Sequence, residues 1–324
     1  MNVVFILGLK FLRRAYSSLF GKVTHHRIID GHDEAAQMIM NTLQSDAPCM
    51  ISRFGGTELN QFLNYLSIRK ANKDIIGYIK GDIYDWWWNE NIMLQMQNWS
   101  GFYPPTIDNL TLFCEQMKLD ISQLDILGSW VPEERFVENL LHNVKKISLI
   151  SLEPYIATQP WTSVLKNKKV LVIHPFASLI EYQYEKRRVL FKNQDVLPDF
   201  ELKTICAVQS LGGGTKFKDW FEALNWMKSE IDKQDYDVCL IGCGAYGFAL
   251  AAYIKSTGKK AVHLGGALQL LFGIMGKRWE DPNYAIKWGL DPNFYLNLMN
   301  EHWVKPSSEY KPPNADSVED ACYW

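Results

Sequence analysis

The segment Arg53-Phe-Gly-Gly-Thr-Glu58 sets a permanent cation, two glycines, a helix-capping residue and a carboxylate within six positions. Gly55 and Gly56 permit a tight turn with close backbone approach, and Thr57 is a good N-cap. A helix starting there offers unpaired N–H groups and a partial positive charge, which suits an anion. Glu58 would bind a ribose or sugar hydroxyl, hold a metal ion, or take a proton from an acceptor. An ordinary first-turn acid, favoured by the helix dipole, is the commoner use of a residue so placed.

A second segment, Asp237-Val-Cys-Leu-Ile-Gly242-Cys-Gly244-Ala-Tyr246-Gly247, has G-x-G-x-x-G spacing between an apolar run and a helical stretch. That context suits a diphosphate lying on a helix N-terminus. A dinucleotide site of this kind also needs an acid near the tip of the next strand, to hold the ribose. The next run, Ala261-Val-His263-Leu-Gly265-Gly266, has none, so a phosphate or nucleotide is expected there and NAD is not. Gly265, Gly266 and Gln269 mark another strand–helix junction, and Lys277 and Arg278 follow in a Gly-Lys-Arg loop able to neutralise a leaving phosphate. A solvated basic loop would carry the same residues. His174, ending Val170–His174, and Glu153, in Leu152-Glu-Pro-Tyr155, are further acid/base candidates. A lone histidine is more often structural, and an acid there also suits a turn. Trp86–Trp88 and Trp99 would stack on a sugar ring, although core packing is the more frequent role of such residues.

These residues fall after short apolar runs at Cys49–Arg53, Ile75–Ile79, Ile126–Trp130, Ile147–Leu152, Lys169–His174, Leu202–Val208, Asp237–Gly242 and Ala261–Leu264. Helical stretches separate them, at Glu58–Ser67, Asp85–Trp99, Asp108–Met117, Glu133–His142, Leu179–Phe191, Phe217–Lys233 and Tyr246–Thr257. The alternation predicts an α/β fold, a mainly parallel Rossmann-like sheet with helices on both faces. In such sheets ligands bind beyond the carboxyl ends of the strands, where these motifs lie.

The 324 residues contain 34 Lys and Arg against 36 Asp and Glu, a balance that argues against a nucleic-acid partner. The charge is unevenly spread: Lys10, Arg13, Arg14, Lys22 and Arg27 occur before the first acid. Phe5, Leu9, Leu12, Tyr16 and Leu19 recur at helical spacing, so residues 1–29 are expected to form a basic amphipathic helix. Such a helix either lies in an anionic membrane surface, through residues 1–22, or docks on its own domain. The apolar run Val3–Leu9 is too short to span a bilayer. Cys49, Cys114, Cys206, Cys239, Cys243 and Cys322 form no C-x-x-C pair, which fits thiols in a cytoplasmic protein. Residues 30–304 are expected to form one domain, and the proline-bearing stretch 305–324 an extended tail.

Five segments together resemble the bacterial glycosyltransferases of the GT-D fold and related proteins of surface-polysaccharide loci. They are Ile51–Glu58, Leu152–Tyr155, Val172–Phe176, Ile241–Gly247 and His263–Gln269, in order within roughly residues 30–280. The resemblance implies transfer of a sugar from a nucleoside diphosphate sugar, often UDP-linked, to a glycan or lipid-linked oligosaccharide in capsule, O-antigen or glycoprotein synthesis. It implies a nucleotide-sugar site at Arg53, Gly55, Gly56, Thr57, Gly242, Gly244, Tyr246, Gly247, Gly265, Gly266, Gln269, Lys277 and Arg278. Glu58, Glu153 and His174 are then the catalytic candidates. The family motif reads Arg-Phe-Gly-Asp-Gly-Glu, whose Asp-X-Glu supports metal binding; here Gly56 replaces the Asp and only Glu58 remains. Mn²⁺ or Mg²⁺ dependence is therefore in question, one carboxylate being a poor site by itself. Transfer of a sugar phosphate or pyruvyl group, a dinucleotide-dependent oxidoreductase and an inactive scaffold are the alternatives.

Overall fold

The computed structural model describes residues 3–21, 31–210, 216–311 and 323. Lys22, Arg27, Cys322 and most of the tail expected over 305–324 lie outside them.

The apolar runs assemble into one seven-stranded sheet: β1 (Cys49–Ser52), β2 (Ile126–Ser129), β3 (Lys145–Ser148), β4 (Lys169–His174), β5 (Glu201–Cys206), β6 (Val238–Ile241) and β7 (Lys260–His263). The order is β3-β2-β1-β7-β6-β4-β5, and every pairing is parallel. In register, Ile51 faces Ile126 on one side and Val262 on the other. Successive strand residues serve opposite faces. Met50, Leu127, Leu171, Cys239 and Ala261 enter one core, while Ile51, Ile126, Val170, Leu240 and Val262 enter the other. A strand buried on both sides must read as a continuous apolar run, which is why the five inner strands are legible; the edge strands β3 and β5 are partly exposed and carry Lys, Glu and Thr.

The helices are α1 (Val3–Phe20), α2 (His32–Gln44), α3 (Gly56–Arg69), α4 (Ile75–Lys80), α5 (Glu90–Asn98), α6 (Ile107–Ile121), α7 (Ala177–Glu185), α8 (Arg187–Leu190), α9 (Trp220–Asp232) and α10 (Tyr246–Ser256). Helices α3, α6, α9 and α10 cover the first core; α2, α7 and the segment Leu268–Leu271 cover the second. Side chains start several of them: Thr106 accepts from the Asn109 N–H at α6, and Asp219 from the Glu222 N–H at α9. No helix among the described residues is long and apolar enough to cross a membrane.

Several expectations need correction. Ile75–Ile79 is helical, because Asp74 caps the Gly77 N–H and Gly81, at φ 88°, closes the turn; Ile75 and Ile76 face solvent. The helix expected over Asp85–Trp99 is confined to α5, since the Asn64 amide holds the Asp85 and Trp87 carbonyls in a non-helical stretch. Leu179–Phe191 is divided into α7 and α8, and the strand at Ile147 ends at Ser148 before a 3₁₀ turn, Leu149–Leu152. Glu133–His142 is a 3₁₀ segment, Pro132–Leu140. In α1, only Leu9 of the expected apolar face is buried.

Candidate functional site

The carboxyl ends of β1, β2, β4, β6 and β7 open onto a cavity of about 620 Å³. Strand β4 leads outward to β5 while β6 leads back to β7, so the His174 and Gly242 turns diverge at a topological switch. Arg53, Gly55, Gly56, Thr57, Glu58, His174, Gly242, Gly244, Tyr246, Gly265, Gly266, Gln269 and Arg278 all line it. Gly247, Glu153 and Lys277 are outside the lining.

The β1–α3 turn provides its most reactive corner. The Trp130 indole N–H donates to the Phe54 carbonyl at 2.9 Å, fixing the ring across the turn, and Gly56 leaves only van der Waals room beneath it. The Arg53 guanidinium lies 5.0 Å from the Trp130 ring centre and the Lys287 ammonium 5.6 Å from it. Neither cation is ion-paired among the described residues. A cation held over an indole keeps its hydrogen-bonding edge for a ligand. The N–H groups of Gly56 and Thr57 find no acceptor among the described residues, as a helix start dictates. Glu58 folds back over Gly55, so close that a Cβ there would overlap its carboxylate. A side chain at position 55 would push that carboxylate aside.

At β7, Gly265 adopts φ +65°, a conformation costly for other residues, and a Cβ there would stand 3.6 Å from the Arg53 side chain. Gly266 is covered by the Tyr323 ring; Arg278 Nη1 donates to the Tyr323 hydroxyl at 3.1 Å, and the Gln269 amide to the Tyr323 carbonyl at 3.1 Å. Gln269 also donates to the Met275 carbonyl, so it ties the chain together at this edge.

The G-x-G-x-x-G turn behaves differently from its expected diphosphate cradle. The Ala245 N–H donates to Ser100 O at 3.2 Å, Tyr246 N–H to Cys243 O at 3.3 Å and Gly247 N–H to Gly244 O at 3.1 Å. The leading donors of α10 are therefore used inside the protein, and the Ser100–Gly101 segment crosses over them. Gly242 allows close packing of Gly265 and His174, and Gly247 makes room for the His263 ring, 2.2 Å from where a Cβ would stand.

Both histidines are neutral. Burial pushes His174 down to about 3, and its Nδ1 accepts the Phe176 N–H at 3.0 Å. The ring proton must then reside on Nε2, which makes His174 a hydrogen-bond donor at the wall rather than a base. His263 is likewise pushed down to about 3, by burial and by the Arg53 charge, and its Nδ1 meets Ser52 Oγ at 3.1 Å. Glu153 is buried, raised to about 7 by that burial, and accepts hydrogen bonds from the Tyr155 and Tyr295 hydroxyls at 2.8 and 2.9 Å. It anchors the segment that follows β3 and does not reach the cavity.

Among the described residues two carboxylates line the cavity, Glu58 and Asp120. Asp120, on α6, is buried and raised to about 7 by desolvation, with its Oδ1 accepting from the Gln116 amide at 2.7 Å. Its neighbours along the lining are Phe113, Met117 and Trp220, an apolar wall remote in character from the cationic Arg53 corner. Asp120, Trp130, Lys287, Tyr284, Trp288 and Tyr323 escaped the sequence reading; Trp130 directly follows β2 and was within reach of the strand-end rule. Of the tryptophans proposed as a sugar platform, Trp99 lines the cavity while Trp86 packs on Tyr78.

No group of three His, Cys, Asp or Glu side chains able to hold a metal occurs among the described residues. The donor set around Glu58 does not by itself meet the six oxygen ligands of Mg²⁺ or Mn²⁺. Comparison with protein-family models, curated proteins and solved structures finds no match for the chain.

Proposed function

We propose that the chain is a glycosyltransferase that moves a sugar from a nucleoside diphosphate sugar, UDP-linked, to a glycan or lipid-linked acceptor on the cytoplasmic side of a cell membrane. The observation that carries this reading is the Arg53 guanidinium, laid over Trp130 without an ion-pair partner among the described residues, above the open N-terminus of α3. Lys287 and Arg278 bring two further cations to the same cavity. Such an arrangement suits a diphosphate, and the aromatic rings of Trp130, Tyr284, Trp288 and Tyr323 suit the flat faces of a base or sugar.

In the transfer, an acceptor hydroxyl oxygen bonds to the anomeric carbon as the bond from that carbon to the diphosphate breaks. The electron pair leaves with the nucleoside diphosphate, whose new charge Arg53, Lys287, Arg278 and the α3 N–H groups offset. The hydroxyl proton passes to a carboxylate, and Glu58 is the acid beside these cations. No step is assigned to a metal, because the donor set at Glu58 does not fit one unaided.

The test is a thermal-shift screen with UDP, other nucleoside diphosphates, their sugars and NAD, each with and without Mn²⁺. Stabilisation by a nucleoside diphosphate and abolition of that shift in Arg53→Ala supports the reading. Stabilisation by NAD alone would replace it with an oxidoreductase, and a response to no nucleotide would favour the scaffold alternative.

A further inference from the structure

Helix α1 is attached along a narrow seam. Leu9 is its one buried residue, packed with Tyr78 of α4 and with Trp86. Beside it, Arg13 lies 4.7 Å over the Tyr78 ring and donates to the Ile83 carbonyl at 3.2 Å, and Lys10 lies 5.8 Å over Trp87. At about 100° per residue, Val4, Leu7, Phe11 and Leu19 fall on the arc opposite this seam. They are 75%, 61%, 69% and 78% exposed. On α4, the helix on which α1 packs, Ile75 and Ile76 are exposed as well. Among the described residues α1 holds eight of the exposed large apolar side chains, against three on α6 and no more than two on any other element, so this concentration calls for an occupant.

We propose that the α1–α4 face binds an anionic lipid surface, with α1 lying in the plane of the interface. The choice of occupant rests on charge and length. Helix α1 carries no acid; Arg14 flanks the exposed apolar arc, Lys10 lies at the edge of the seam over Trp87, and Arg13 lies in the seam, 3.9 Å from Asp85. A bilayer with negative headgroups offers an apolar layer and opposite charge together. A second copy of the chain would instead bring two all-basic helices face to face. Helix α1 is not both long and apolar enough to cross the bilayer, since three cations interrupt its 18 residues. The face is also connected to the cavity. Tyr84, between α4 and Trp86, donates to the Asn60 side chain at 2.8 Å, and Asn60 lines the cavity wall. Lipid binding would therefore bring the cavity to the membrane, where a lipid-linked acceptor resides; the binding itself does not depend on the glycosyltransferase reading.

The experiment is co-sedimentation of the full chain with vesicles of equal parts phosphatidylglycerol and phosphatidylcholine, and with vesicles of phosphatidylcholine alone. The variants are Leu7→Glu/Phe11→Glu, on exposed positions of α1, and separately Ile76→Glu on α4. Each is checked by thermal midpoint and by its thermal shift with UDP, which report folding and the nucleotide site independently of lipid. Binding to the anionic vesicles, weakened about ten-fold or more by Leu7→Glu/Phe11→Glu at an unchanged thermal midpoint, is expected. Failure of the parent chain to sediment would overturn the proposal, as would undiminished binding of the folded double variant. So would a solution dimer that the double variant converts to monomer without any vesicle binding by the parent.

Discussion

The Arg53 guanidinium and the Trp130 ring face each other at 5.0 Å across the turn that joins β1 to α3. The indole is itself pinned by its N–H bond to the Phe54 carbonyl, so the pair is built into the backbone of the turn. An arginine normally seeks a carboxylate; here it is held over a ring and beside a helix start that both favour an anion arriving from outside.

Arg53→Ala should weaken binding of UDP by about ten- to a hundred-fold, the range expected for loss of a charge-assisted hydrogen bond. Lys287→Ala, whose ammonium meets the same ring but is more exposed, should cost less. Isothermal titration of UDP into each variant measures both. Equal affinity in Arg53→Ala and the parent chain would remove this corner from the nucleotide site.

Glu58→Gln should lose sugar transfer while keeping the donor-induced thermal shift, since the amide keeps the size of the acid and cannot take the acceptor proton. Glu153→Gln should behave in the opposite way. Its carboxylate holds the Tyr155 and Tyr295 hydroxyls away from the cavity, so the variant should unfold more easily, by about 1–3 kcal/mol, yet turn over once folded. Turnover assays beside urea titrations separate the two roles.

The parallel sheet was legible because strands buried on both faces must be apolar throughout, and the strand-end rule then led to Arg53, Gly242 and Gly265. Short elements were less legible. Ile75 and Ile76 read as a strand from β-branched residues, but the Asp74 cap and Gly81 turn impose a helix. The G-x-G-x-x-G spacing correctly marked a turn at the sheet's carboxyl edge without showing that Ser100 would cross it and take the Ala245 N–H. Lys287 is far in sequence from Trp130 and Tyr323 from Gly266, and only folding brings each pair together.

Gly247 belongs to the scaffold by its geometry. A Cβ there would stand 2.2 Å from His263 Nε2, with buried ring atoms that have no room to retreat. Gly247→Ala should therefore destabilise the fold by about 1–3 kcal/mol, as overpacking does, without changing nucleotide affinity in the folded fraction. Chemical denaturation and a UDP titration below the unfolding transition test the two halves of that statement. A large loss of affinity at unchanged stability would return Gly247 to the binding site.

Metal chelation gives a separate readout of Glu58. With a single carboxylate at the cationic corner among the described residues, EDTA should leave the UDP thermal shift in place, since on the proposed reading Arg53, Arg278 and Lys287 on the cavity wall are the groups that meet the phosphates. Loss of the shift on chelation and its return with Mn²⁺ would show that the bound diphosphate completes a metal site with Glu58.

Stability should be nearly level between about pH 4.5 and 6.5, because two buried pairs oppose each other. Asp120 and Glu153 are each raised to about 7 by burial, so the native chain retains protons that the unfolded chain has released, and stability falls as pH rises through this window. Lys228 works against the Asp120 shift without cancelling it. His174 and His263 are lowered to about 3, so the unfolded chain takes up protons that the native chain refuses, and stability falls as pH drops from 6.5. Each group contributes a slope of about 1.4 kcal/mol per pH unit inside its window. Asp120→Asn removes one descending limb, so the variant should gain stability on going from pH 4.5 to 6.5 where the parent stays level. Urea midpoints at half-unit intervals measure it. A variant as level as the parent would mean that Asp120 is ionised in the folded chain, with water or a ligand in the cavity meeting its charge.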